Sequence, residues 1–154
     1  MLGEYLAKFH AGCRVITRVR LGPHLSPESD PTLTPEEQSL LGAAFRRWAD
    51  AVCIDAGVLY VIETALMPDP RDVSLLLLYM DLIDVTPELA EVARLPRKAI
   101  LVFAHGADPY TTALAVRHGI EVRIYKPSFF TEWLNIVRAR ERRPSRTGLL
   151  APSA

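Results

Sequence analysis

The spacing of apolar residues changes several times along the chain, and each change marks an element. Residues 2–10 place Leu2, Leu6 and Phe9 on one face of a short helix. From Cys13 to Leu21 the pattern alternates. Val15, Val19 and Leu21 point one way and Arg14, Arg18 and Arg20 the other, which predicts a half-buried strand with a basic outer face. Residues 22–33 gather Gly, Pro, Ser and Asp and read as a loop. Thr34-Pro35-Glu36-Glu37 then starts a helix that runs to about residue 45. Thr34 caps it, Pro35 takes the first helical position, and Glu37 closes a capping box. Residues 47–54 and 58–66 are strand-like runs on either side of Asp55-Ala56-Gly57, so the span is a β-hairpin.

Asp69-Pro70-Arg71-Asp72 opens a helix over 70–83 by the same logic of cap, proline and first-turn acid. Val73, Leu76, Leu77 and Met80 line one face of it and Leu75, Leu78 and Leu82 another. A helix apolar nearly all round is central to the domain or part of a subunit contact. Residues 98–104 form a fourth strand, Asp108-Pro109 opens a helix ending at His118-Gly119, and residues 120–125 form a fifth strand. A last helix follows from about Ser128 to Arg140. The order predicts one α/β domain over residues 1–141, a mixed sheet of about five strands flanked by helices, and a basic tail over 142–154.

Length and composition agree with this picture. A chain of 154 residues that is 49% hydrophobic can bury a full core. Its 18 basic and 18 acidic residues balance, so no global field draws it to nucleic acid or membrane. The start, MLGEYLAKFHAGC, has no basic segment followed by a long apolar run, and Leu75–Met80 is too short to cross a bilayer. The protein is expected in the cytoplasm at synthesis, with no membrane partner and no secretion. Cys13 and Cys53 have no metal-ligand spacing, and His10, His24, His105 and His118 are scattered. The cysteines read as two small thiols in a reducing compartment.

The strand Leu59-Tyr60-Val61-Ile62-Glu63-Thr64-Ala65 carries a carboxylate in its middle, and burying one without a partner is costly. If the hairpin closes with a two- or four-residue loop, Asp50 lies opposite Glu63 on the same face. A three-residue loop would put Asp50 across from Ile62. Two acids facing each other are tolerated when a divalent cation lies between them or when one stays protonated.

These residues resemble the PD-(D/E)XK nuclease superfamily. The resemblance spans residues 2–126 and rests on Trp48-Ala49-Asp50-Ala51-Val52, on Val61-Ile62-Glu63-Thr64-Ala65 and on the helix holding Leu77-Leu78-Tyr79. It implies a nuclease-like core in which Asp50 and Glu63 hold Mg²⁺ for attack on a phosphodiester. The family's lysine falls at Ala65, which can neither position a water nor neutralise a developing charge. A degenerate, catalytically impaired member is therefore expected. The short, arginine-rich chain also resembles nuclease-fold proteins of tailed bacteriophages. That likeness implies a role in virion assembly, at head completion or the head–tail junction, among other virion proteins and near double-stranded DNA. It also implies a protein made in the host cytoplasm and carried into the virion, while the apolar helix 70–83 and the apolar pair Leu149-Leu150 in the tail predict a homo-oligomer.

Two alternatives stay open. In one, the chain is an active Mg²⁺-dependent deoxyribonuclease that uses Asp50 and Glu63, with Lys126 as a catalytic stand-in for the lysine. Lys98 is a further candidate, Glu4 a third acid, and Ser74 the polar residue nearest to a glutamine common in relatives. In the other, the chain is an unrelated protein-interaction module in which Glu63 pairs with Arg47 or Arg123. The one dense basic cluster, Arg138, Arg140, Arg142, Arg143 and Arg146, complements a helix C-terminus or contacts DNA phosphates. Phe129, Phe130 and Trp133 are expected to pack the last helix on the sheet.

Overall fold

The computed structural model describes residues 1–24, 32–38, 40 and 46–141. Its elements are α1 (Leu2–Phe9), β1 (Arg14–Leu21), β2 (Arg47–Asp55), β3 (Val58–Ala65), α2 (Pro70–Leu82), β4 (Arg97–Phe103), α3 (Pro109–Arg117), β5 (Glu121–Ile124) and α4 (Phe130–Glu141). Two short 3₁₀ turns, Ile83–Val85 and Pro87–Leu89, lie between α2 and β4. Residues 35–38 are helical, and the capping box forms as expected. The Glu37 N–H donates to Thr34 Oγ1 at 3.2 Å while the Thr34 N–H donates to Glu37 Oε2 at 2.8 Å. The expected remainder of that helix, over 41–45, and the tail over 142–154 lie outside the described residues. Among the described residues no helix is long and apolar enough to cross a membrane.

The strands form one mixed sheet in the order β1-β2-β3-β4-β5. The first three run antiparallel, and β3, β4 and β5 run parallel. Parallel neighbours need a crossover, and α2 and α3 supply the two required. The outcome is the single mixed α/β domain that the pattern predicts.

The sheet has two apolar faces. Leu59, Val61, Leu101 and Phe103 point toward α2 and α3, where they meet Val73, Leu76, Tyr79 and Ala115. Ala51, Cys53, Ile62, Ile100 and Val102 point the other way, against Tyr5 and Leu6 of α1. Each fully buried Leu, Ile, Val or Phe contributes roughly 1.5–3 kcal/mol. α2 is therefore central, as its pattern allows: it lies on the β3–β4 half of the sheet, with Leu78 on its outer side.

One expectation about β1 changes. Arg14, Arg18 and Arg20 are exposed, but Val15 does not share a face with Val19 and Leu21. Val15 packs on the α1 side, whereas Ile16, Val19 and Leu21 pack on the α2 side. The alternation shifts because Arg18 adopts φ +52°, a left-handed conformation rare in a strand. In β2 the faces shift at the matching place, with Val52 and Ala49 on the α2 side and Ala51 and Cys53 on the α1 side.

Arg46 locks the entrance to β2. Its guanidinium donates to both carboxylate oxygens of Glu88 at 2.8 and 2.7 Å, and to the Arg20 carbonyl at 2.5 Å. This grip holds Glu88 down at about 2. The Gly22 N–H donates to Thr86 Oγ1 at 2.8 Å, tying the end of β1 to the same 3₁₀ segment.

The hairpin closes as Asp55 pairs with Val58, so its loop is the two residues Ala56 and Gly57. Both have positive φ, +46° and +76°, as a type I′ turn requires. Alanine bears a Cβ penalty there that asparagine largely escapes. The Ala56→Asn variant is expected to be more stable by ~0.5–1 kcal/mol in urea denaturation, with an unchanged m-value. A loss of stability would contradict the turn assignment.

Candidate functional site

The two-residue loop decides the register. Ala51 pairs with Ile62 and Val52 with Val61, so Asp50 comes next to Glu63. At this point side chains take over from the β2–β3 ladder. The Asp50 N–H donates to Glu63 Oε2 at 3.3 Å. In return, Asp50 Oδ2 accepts from the Thr64 N–H at 3.0 Å and from Thr64 Oγ1 at 2.5 Å. Across the other edge of β2, Thr17 pairs with Ala51 and Val19 with Ala49, which leaves Arg18 across from Asp50 without ladder pairing. Main-chain pairing thus lapses along one row, Arg18–Asp50–Glu63.

Glu63 follows Leu59 and Val61 onto the α2 side of the sheet. Burial and the nearby Asp50 carboxylate push its pKa from an ordinary 4.5 up to about 8. Asp72, in the first turn of α2, adds to the same effect. The Asp72 carboxyl is itself raised, by burial first and by Asp69 second, and its Oδ2 is buried with no hydrogen-bond partner. Tyr79 stands two turns along α2, where burial and then Glu63 push its phenol up to about 12. The charges acting most strongly on Glu63 are therefore two acids, and it rests protonated at neutral pH.

Beside this acid cluster lie two clefts. One, of about 600 Å³, is lined among the described residues by Arg20, Leu40, Arg46, Arg47, Trp48, Leu75 and Tyr79. The other, of about 280 Å³, is lined by Arg18, Trp48, Ala49 and Asp50. Trp48 is half-exposed and belongs to both, and the Arg20 guanidinium sits 4.5 Å over its ring. Arginines and Trp48 thus line both clefts, and Asp50 opens onto the smaller one.

The other expected residues are placed as follows. Ala65 continues β3 beside Phe103, on the face of Glu63. Lys126 lies beyond β5, two strands from β3, with its ammonium 5.9 Å from the Phe130 ring. At ~4.8 Å per strand, that spacing keeps it apart from the acids. Lys98 pairs with Tyr60 and is exposed at the other end of β4. Glu4 is not a third acid of the cluster. It sits on α1, across the sheet, and accepts from the Ser128 N–H at 2.9 Å and Ser128 Oγ at 2.5 Å. Arg123 bonds Glu121 at 2.6 Å and Tyr5 at 2.8 Å rather than Glu63. Ser74 is exposed on α2, and Arg138 is exposed on α4. The side chains of Arg140, Arg142, Arg143 and Arg146 lie outside the described residues. Of the three aromatics expected to pack the last helix on the sheet, Phe130 is buried and stacks on His105, after β4, at 5.4 Å, with Trp133 at 5.5 Å from it, whereas Phe129 is exposed.

Sequence reasoning missed Asp72. It read as a helix-dipole acid, but it stands in the first turn of the helix that follows Glu63, where the chain folds back over the hairpin. It also missed a group on the opposite face. His10, Cys13 and Cys53 bring their nitrogen and sulfur atoms within 4.8 Å of one another. The available signal was the spacing of His10 and Cys13, three residues apart.

No family model and no curated protein matches the chain. A solved structure described as a protein of unknown function, AF1548, is similar over 87% of this chain at 12% identity, with a TM-score of 0.49. The chain spans 65% of that protein's length.

The acid cluster makes stability depend on pH. Between about 4.5 and 8 the unfolded chain has released the Glu63 proton while the folded chain still holds it. Folding stability from this group therefore falls as pH rises through that window. Glu63→Gln is expected to match the wild type near pH 4.5 and to exceed it by ~1–3 kcal/mol at pH 8, allowing for partial solvent screening. Urea unfolding at a series of pH values measures the gap; a constant gap would rule out the buried-acid account.

Proposed function

We propose that this chain is a PD-(D/E)XK-type nucleic-acid-binding protein with a divalent-cation site and impaired hydrolysis. The observation that carries the reading is the meeting of Asp50 and Glu63 at facing positions with Asp72 close by and acids as the dominant neighbouring charges. The order of elements supports it: a helix, three antiparallel strands, a helix and a parallel fourth strand carry the two acids where the superfamily carries them.

The residues fit a hard cation. Carboxylate oxygens suit Mg²⁺, and the buried Asp72 Oδ2 is an oxygen that lacks a hydrogen-bond partner. Asp50 and Glu63 would hold the ion, with Asp72 adding negative charge from the first turn of α2. When bound, Mg²⁺ supplies a polarised water and charge compensation for a phosphodiester. This chain's own residues do the rest. Thr64 fixes the Asp50 carboxylate through two hydrogen bonds, so that side chain is oriented in advance. Glu63 must release its proton before it can serve as a ligand. Arg20 and Arg47 offer cations to a phosphate backbone, and Trp48 offers a ring face.

Hydrolysis is impaired because Ala65 cannot orient or deprotonate a water. A fold that grips DNA without cutting it suits an assembly role at a phage head or head–tail junction, and this part of the reading rests on the resemblance.

Three measurements test the proposal. Mn²⁺ is expected to bind one-to-one and to release about one proton at pH 7, seen as a buffer-dependent heat of binding. Asp50→Asn and Glu63→Gln are each expected to weaken that binding at least ~10-fold. In plasmid nicking, the wild type is expected to be near background and Ala65→Lys to gain cleavage. Absence of Mn²⁺ binding would overturn the cation site, and Mn²⁺-dependent nicking by the wild type, lost in Glu63→Ala, would establish an active nuclease instead.

A further inference from the structure

The face of the sheet turned away from Asp50 and Glu63 carries a second constellation. His10 ends α1, Gly12 turns the chain with φ +85°, and Cys13 closes a tight turn in which its N–H donates to the His10 carbonyl at 3.2 Å. That turn points an imidazole and a thiol the same way from positions three residues apart. β1 then pairs Val15 with Cys53, which lays Cys53 diagonally across from Cys13 on the α1 side of the sheet. The three side chains thus come from a turn and a neighbouring strand, both fixed by main-chain bonds.

The distances suit a soft cation. Cys53 Sγ stands 3.5 Å from His10 Nδ1. In a tetrahedral zinc site, bond lengths of about 2.05 Å to nitrogen and 2.3 Å to sulfur set that edge near 3.6 Å, and the sulfur–sulfur edge near 3.8 Å. All three donor atoms already lie within 4.8 Å of one another, so closing onto an ion takes about an ångström of side-chain adjustment. His10 is only 6% exposed, Cys53 is fully buried and Cys13 is partly open to solvent, which gives an ion a way in.

The ring is also short of partners. Its Nδ1 meets only the weak thiol of Cys53, and its Nε2 is buried with no partner at all. A buried imidazole with this little to bond is costly, and turning the ring over exchanges the two nitrogens without curing the deficit. A cation at the vertex shared by the ring and the two sulfurs supplies what is missing.

We propose that His10, Cys13 and Cys53 bind one zinc-class cation, with a water or an external donor in the fourth position. Binding converts two thiols to thiolates and releases two protons to solvent, so the cation is held by two sulfurs and one neutral imidazole nitrogen. The ion clamps the end of α1 to β2, across the sheet from the acid cluster. Nitrogen and sulfur donors select a softer ion than the carboxylates do, so the two sites take different metals.

The test uses the full chain, stripped by a chelator with its thiols verified as reduced. Titration with Co²⁺ is expected to give a sulfur-to-cobalt charge-transfer band and the visible bands of a tetrahedral ion, saturating at one equivalent, and Zn²⁺ is expected to abolish them. Cys13→Ser, a half-exposed position that tolerates the change, is expected to lose the charge-transfer intensity and to weaken Zn²⁺ binding more than ~100-fold. His10→Gln is expected to do the same. The double variant Asp50→Asn/Glu63→Gln is expected to keep the band, which separates this site from the acid cluster. Zn²⁺ is expected to raise the melting temperature of the wild type and of that double variant, and to leave Cys13→Ser unchanged. The proposal is overturned if reduced wild-type protein gives no thiolate–cobalt band, if the band survives in both Cys13→Ser and His10→Gln, or if the two cysteines merely form a disulfide in air while the reduced protein takes up no Zn²⁺.

Discussion

The reciprocal bonding among Asp50, Glu63 and Thr64 is the constraint on which the rest of the sheet depends. Asp50 gives its N–H to Glu63, and Thr64 gives both its N–H and its hydroxyl to Asp50. A sheet interior cannot leave main-chain donors unpaired, so where the β2–β3 ladder ends, carboxylates must serve as acceptors in its place. That substitution frees the strands from strict pairing. β1 takes its left-handed residue, Arg18, in the same row, and the apolar faces of β1 and β2 shift together there. The acids are therefore part of how the fold ends a ladder, as well as a candidate for chemistry.

A sheet with a helix layer on each side also separates two kinds of donor. On the α2 side, Glu63 feels the charges of Asp50 and Asp72, and the Glu63 and Asp72 carboxyls are both raised by burial. On the α1 side, His10, Cys13 and Cys53 gather beside Tyr5 and Tyr60, with the imidazole pushed by burial toward its neutral form. β2 feeds both groups, with Asp50 at the place where its faces shift and Cys53 three residues on, on the α1 side.

Most of the fold was legible because its signals are local. The capping box at Thr34–Glu37, the Asp-Pro helix starts and the apolar runs of β3 and β4 each settle an element within a few residues. The facing of Asp50 and Glu63 was legible as a condition on loop length, and the positive φ of Ala56 and Gly57 settles it. What local pattern could not supply was the effect of a single residue on a whole strand. Arg18 reads as one more outward arginine, and only its backbone angle shows why Val15 and Val19 part. Asp72, His10 and the cysteines escaped notice for a related reason. Each has an ordinary local role, as a first-turn acid, a helix-end residue or a small apolar side chain. Their meeting depends on crossings between α1, α2 and the sheet.

Ala65 bears on the proton balance of Glu63. It stands two residues on, along the same face of β3, and two such positions are separated by ~6–7 Å. A lysine ammonium there would favour the ionised form of Glu63, since an opposite charge at that range lowers a carboxyl pKa. With alanine, the nearby charges are acids and the proton stays on Glu63 up to about 8. The metal-free cluster then avoids being a full set of anions, which a half-buried floor could not hold without a cation. Two facing acids with no lysine beside them are thus compatible with one stable fold, because a proton on Glu63 takes the place of a balancing cation. In the cation site proposed above, that proton would have to leave before the Glu63 carboxylate could serve as a ligand.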